Sequence, residues 1–179
     1  MSSPPFGIQK GDSKNEIKVG EEISRWVYAV TDTPKPYPDF SIVYAQVTPL
    51  NGVSHIKAIS KIISTDVEGE KLKGRFNTFT DILSKKYGKP YTYDNKTDLV
   101  RIKMPFNGNL MYIPWMNQLV AHEAKLFSVW GKVLPNDLRT IRLDVTAKDN
   151  CNGNLELNYY FDNFDLAIQE IQNFEEDIL

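Results

Sequence analysis

The sequence predicts an α+β protein: a two-layer fold with a twisted, mostly antiparallel sheet and two to three amphipathic helices packed on one face. Three observations predict it. Near the C-terminus, Ile141, Leu143 and Val145 alternate with Arg142, Asp144 and Thr146, and Leu155, Leu157 and Tyr159 alternate with Glu156, Asn158 and Tyr160. Strands with one apolar and one polar side belong to an antiparallel sheet that faces water on one side. Earlier in the chain, Leu72, Phe76, Phe79 and Leu83 recur at helical spacing and form one apolar stripe. Regular strand–helix–strand alternation is missing, which argues against a doubly wound parallel sheet.

The 179 residues form one domain, 1–179, with no hinge-like linker and no internal repeat. A chain of this length buries roughly 70% of the surface its unfolded form exposes, so it folds without disulfides or metals.

Asp12 or Ser13 is placed to cap a short helix running to Ile17, because their oxygens accept orphan amide protons. Residues 26–30 are aromatic and β-branched and read as a strand. In 40–47, Ile42 and Tyr44 fall on one face, Val43 and Ala45 on the other. Asn51-Gly52 supplies the positive φ angles of a tight turn, making 53–63 the second arm of a hairpin. The Leu72–Leu83 helix stops at Gly88, and Pro90 prevents its continuation.

Residues 91–93 and 99–104 read as two short strands around the turn Asp94-Asn95-Lys96. Pro114 suits the first turn of a second helix, which presents Trp115, Leu119, Leu126 and Trp130 and closes at Gly131. Asn150-Cys151-Asn152-Gly153 is a hairpin turn between the two alternating strands. Asn163 starts a last amphipathic helix over 164–174.

Composition and motifs weigh against several functional classes. The net charge of −2 provides no global field for a phosphate backbone, so nucleic acid is not the expected partner. Six lysines, Lys57, Lys61, Lys71, Lys73, Lys85 and Lys86, read as a solvated face, since clustered arginine is what phosphate grooves use. One cysteine, Cys151, excludes an intramolecular disulfide. Sitting between asparagines at a turn, it has no evident cationic neighbour to activate it as a nucleophile. No apolar stretch is long enough to span a bilayer.

No Gly-x-Ser-x-Gly elbow or phosphate-binding glycine loop occurs. His122-Glu123-Ala124-Lys125-Leu126 has Leu126 where a zinc-protease helix needs its second histidine. His55 and His122 therefore read as structural. Neither a metal site nor a cofactor is expected.

Segments Phe6-Gly7-Ile8 with Gly11, Pro34-Lys35-Pro36 with Pro38 and Phe40, and Tyr87-Gly88-Lys89-Pro90 resemble a family of small uncharacterised bacterial α+β proteins. Many of those are exported or carried in variable genome regions. The resemblance covers the first two thirds of the chain plus the closing hairpin. It implies a bacterial or phage origin and transfers no catalytic residue. The start Met1-Ser2-Ser3-Pro4-Pro5 has no basic region and no apolar run, so the expectation is a cytoplasmic protein, or a periplasmic one if Met1 replaces a removed leader.

The leading expectation is a non-enzymatic factor, an inhibitor, immunity or accessory protein, that covers the surface of a protein partner. Tyrosine gives contact area at low entropic cost and is enriched at interface cores. The expected contact residues are Tyr37, Tyr91 and Tyr93 in loops and strand ends, with Arg142, Asp144, Glu156, Asn158 and Tyr160 on the wetted sheet face. One alternative is a hydrolase using His122, Glu123 and an aspartate. Another is a module that encloses a small ligand or lipid between sheet and helices.

Overall fold

The structure is a computed structural model and describes residues 2–95, 101–103 and 110–179. A single 3-10 turn at Pro5–Gly7 precedes an antiparallel meander: β1 (Lys18–Ser24), β2 (Val27–Asp32), β3 (Phe40–Thr48) and β4 (Gly52–Ser60). After a short break β5 (Ile63–Ser64) leads into α1 (Glu70–Tyr87) and then β6 (Tyr91–Asp94). β7 (Arg101–Lys103) and β8 (Leu110–Tyr112) pair only with each other, and α2 (Trp115–Val120) is followed by β9 (Leu126–Trp130). The hairpin β10 (Leu138–Ala147) and β11 (Asn152–Phe161) comes next, and α3 (Phe164–Ile178) closes the chain.

The principal sheet has nine strands, ordered β1-β2-β3-β4-β11-β10-β9-β6, with β5 also on β11, and every pairing is antiparallel. The central joint is β4 against β11, where Ile56 faces Tyr159 and Ala58 faces Leu157. These partners lie about a hundred residues apart in sequence, so local sequence signals do not specify the joint.

The predicted alternation appears as burial. Ile141, Leu143, Leu155 and Leu157 are buried with Val43, Ala45, Ile56 and Ala58 from the meander. The α1 stripe of Leu72, Phe76, Phe79 and Leu83 is buried against this side. Each of these large side chains contributes about 1.5–3 kcal/mol on burial. Two glycines are required by close approach. Gly52 sits at φ +62°, where a Cβ would overlap the backbone of Gly11. Gly153 lies so near the Leu72 side chain and the Thr146 carbonyl that a Cβ would collide with both.

Helices α1 and α2 cover the apolar face. α3 lies on the other one: its Phe164 ring meets His55 and Tyr160, which point away from α1. Its far end packs Phe174 against Trp26, centroids 5.0 Å apart.

Three local expectations are corrected. The segment after Asp12 forms only a hydrogen-bonded turn, closed by Ile17 N–H on the Ser13 carbonyl, and then enters β1. Asp12 spends its carboxylate on the Gln9 amide, and backbone bonds to Val53 tie Gly11 and Asp12 to the β3–β4 hairpin. The helix from Pro114 is six residues long, because His122 takes φ 60° and turns the chain out of helical geometry. Leu126 and Trp130 then lie in β9, buried with Ser128 in strict alternation. Their separation of four residues suits one face of a helix and one face of a strand equally well.

The segment 91–93 is a strand but does not pair with the following one: β6 pairs with β9, and β7 with β8. Leu99, Val100 and Met104 of the expected second strand lie outside the described residues. As expected, α3 starts at Asn163, although the Asn163 side chain does not cap the helix. The Asn163 amide donates instead to the Asn51 and Val53 carbonyls, anchoring the helix to the β3–β4 turn.

Candidate functional site: the outer face of the sheet

Period-two alternation, together with the cross-strand register, sorts side chains by face. Arg142 pairs with Asn158 and Val129, and Asp144 with Glu156 and Phe127. Tyr91 pairs with Val129 and Tyr93 with Phe127; on the other flank Tyr160 pairs with His55 and Asn158 with Lys57. Seven of the eight expected contact residues therefore share the face opposite α1: Tyr91, Tyr93, Arg142, Asp144, Glu156, Asn158 and Tyr160.

Tyr37, expected in the proline loop, lies apart from them. Its ring packs edge-on to Phe40 at 6.1 Å and Phe79 at 5.6 Å, on the α1 side. The rigid Pro34-to-Pro38 loop carries it there.

The outer face is a chain of contacts running across strands. On the edge, Tyr93 stacks on Phe127 at 5.2 Å. The Arg142 guanidinium lies 3.9 Å from the centroid of the same Phe127 ring, a cation–π contact. Asp144 holds that guanidinium with two bonds, Nε to Oδ2 at 2.7 Å and Nη2 to Oδ1 at 2.8 Å. The Asp144 bonds push the Arg142 pKa up, so Arg142 is a fixed cation. Asp144 and Glu156 are directly opposed carboxylates, a destabilising arrangement by itself. Each has its own cation: Arg142 for Asp144, and Lys57 at 3.3 Å for Glu156.

Further in, His55 donates from Nε2 to the Asn158 side-chain oxygen at 2.8 Å. The imidazole is stacked on Tyr160 at 4.5 Å with an interplanar angle of 11°. Burial, aided by the charge on Lys57, lowers the His55 pKa against the opposing effect of the Asn158 bond. Burial and the charge on Asp144 raise that of the Tyr160 hydroxyl, against Arg142 and Lys57. His55, Asn158 and Tyr160 thus form a rigid inner wall beside Phe164. The exposed end is aromatic: Tyr91 is 65% and Tyr93 38% solvent-exposed.

Sequence reasoning missed His55, Phe127 and Lys57 as members of this face. Phe127 was hidden by the helical reading of Leu126 and Trp130. His55 had a usable signal: it lies at even spacing from Lys57 and Ile59, on the strand side opposite the apolar Ile56 and Ala58.

Among the described residues, the groups of the hydrolase alternative are not joined by hydrogen bonds. His122 and Glu123 are both exposed. His122 borders a shallow cleft of about 230 Å³ whose lining includes Asp144. That carboxylate is already committed to Arg142, and the His122 ring makes no hydrogen bond to it. His55 bonds to an amide, which cannot act as an acid–base partner. Among the described residues, no group of three or more His, Cys, Asp or Glu side chains converges as metal ligands. Cys151 is exposed at the β10–β11 turn, and no helix of the described residues is long and apolar enough to cross a membrane.

No protein-family model, no curated protein and no solved structure matches this chain.

Proposed function

We propose that this protein binds another protein through the outer sheet face, as an inhibitor, immunity or accessory factor. The observation that carries the reading is the alignment of Tyr91, Tyr93, Phe127, Arg142 and Asp144 across three adjacent strands on the face opposite α1. Interfaces concentrate tyrosine and arginine near their centres, and a pre-ordered patch loses little side-chain entropy on docking. Here arginine and aromatic rings are already held by stacking and by paired hydrogen bonds. The mixed charge of Arg142, Asp144, Lys57 and Glu156 favours a partner surface that alternates in sign. A bacterial or phage source is part of this proposal and rests on the Pro-Lys-Pro and Tyr-Gly-Lys-Pro segments.

The test is affinity capture from a bacterial lysate, followed by titration of the purified partner with variants. Tyr91→Ala and Tyr93→Ala, at exposed positions of the edge strand, are expected to weaken binding by about tenfold or more, equivalent to ~1.4 kcal/mol, with thermal melting retained. Unchanged affinity in both variants overturns the assignment of this face.

A further inference from the structure

A separate cleft lies on the opposite side of the sheet, between the N-terminal turn, the proline loop and α1. Its volume is about 320 Å³, within the usual range of roughly 300–1,000 Å³ for small-molecule sites. Six rings line it: Phe6, Tyr37, Phe40, Phe79, Tyr87 and Tyr159, and Ile82 and Leu83 of α1 add aliphatic surface. The rings meet edge to face, with Phe40 to Phe79 at 5.3 Å and Phe6 to Tyr159 at 6.2 Å.

Among the described residues, the only charged side chains in the lining are Lys35 and Lys86, and no carboxylate accompanies them. Lys86 Nζ donates to the Ser3 carbonyl at 2.8 Å, a neutral acceptor that leaves the ammonium charge unbalanced. The Tyr87 hydroxyl is buried without a well-formed hydrogen bond, although the Tyr159 hydroxyl is near enough to act on it. An apolar trough whose charges are all of one sign is complementary to an amphipathic molecule of the opposite sign.

We propose that this cleft binds a small apolar monocarboxylate, its chain lying against Phe79, Ile82 and Tyr37 and its carboxylate between Lys35 and Lys86. Burial and the neighbouring Lys35 charge both lower the Lys86 pKa. An anion placed between the two ammonium groups offsets their mutual repulsion. The site is independent of the outer face, so either assignment can fail without the other.

The experiment is calorimetric titration of the full chain with octanoate, with octanol as the uncharged arm and a capped proline-rich peptide as the macromolecular arm. Octanoate is expected to bind at one molecule per chain with Kd below about 1 mM. Octanol is expected to bind at least about tenfold more weakly. Lys35→Glu and Ile82→Glu change exposed positions, so they are expected to keep the melting temperature while weakening octanoate by about tenfold or more. Octanol binding as tightly as octanoate, peptide binding in place of octanoate, or full affinity in both variants overturns the proposal. So does an absence of octanoate binding at about 10 mM.

Discussion

Asp144 grips Arg142 through two nitrogens, at 2.7 and 2.8 Å, from two residues further along the same strand face. Consecutive residues of a strand point to opposite sides, so residues two apart are the nearest neighbours that share a side. The pair needs no distant element to form it. What the tertiary structure adds is the Phe127 ring of β9 beneath the guanidinium, and that combination turns a flexible arginine into a fixed feature of the surface.

Replacing Asp144 by Asn is expected to release Arg142 with a small stability loss, about 0.2–1 kcal/mol, because the pair is partly solvated. Urea unfolding midpoints measure this. A loss of several kcal/mol would mean that Asp144 has a structural role beyond positioning the arginine.

His55 makes stability depend on pH. Its folded pKa is lowered, chiefly by burial, so the unfolded chain binds the proton more readily. Its contribution is therefore fully present above the unfolded value of ~6.5 and is lost as pH falls from there toward the folded pKa. The expected result is a decline in unfolding free energy below about pH 6.5, smaller in His55→Phe, which keeps the stacking on Tyr160. Parallel pH profiles for both proteins would remove His55 from this role.

Glu170 ties α3 to the β3–β4 turn, accepting from the Leu50 amide at 2.7 Å and from Asn51 Nδ2 at 2.8 Å. Burial raises its pKa, but the nearby Thr48 hydroxyl and the bonds from Leu50 and Asn51 outweigh burial and lower it overall. Its contribution is present above the ordinary glutamate value and is lost as pH falls through the lowered one. Glu170→Ala is expected to cost about 1–3 kcal/mol at neutral pH and to speed amide exchange in α3 specifically. Unaltered α3 protection is the result that contradicts the tether.

Glycine substitutions distinguish required close approach from spare space. Gly52→Ala and Gly153→Ala are each expected to destabilise by about 1–3 kcal/mol, the first through its positive φ and both through collision. Gly131 has no heavy atom within 4 Å of an added Cβ, and Gly131→Ala is expected to be neutral or stabilising by up to ~1 kcal/mol. Melting curves of the three variants decide the matter. Equal shifts would contradict the packing around Gly52 and Gly153.

Part of this architecture was legible locally. The alternation in β10 and β11, the α1 stripe ending at Gly88, and the turns at Asn51-Gly52 and Cys151 are carried by neighbouring residues, whose periodicity follows from backbone geometry. The sequence by itself therefore determined the sheet's two-sided character and which side of β10 and β11 would be polar. It did not reveal β1, whose Gly20, Glu21 and Glu22 lie in an exposed edge strand with no apolar face to announce it.

Only the tertiary structure decided the rest. It made Leu126 and Trp130 strand residues, put α3 over His55 and Tyr160, and sent Tyr37 to the α1 side while Tyr91 and Tyr93 joined Arg142. The physical reason is that spacing within a segment fixes which residues share a side, whereas the side that finds cover depends on partners far away in the chain. Pairing of β4 with β11 and of β6 with β9 makes those choices.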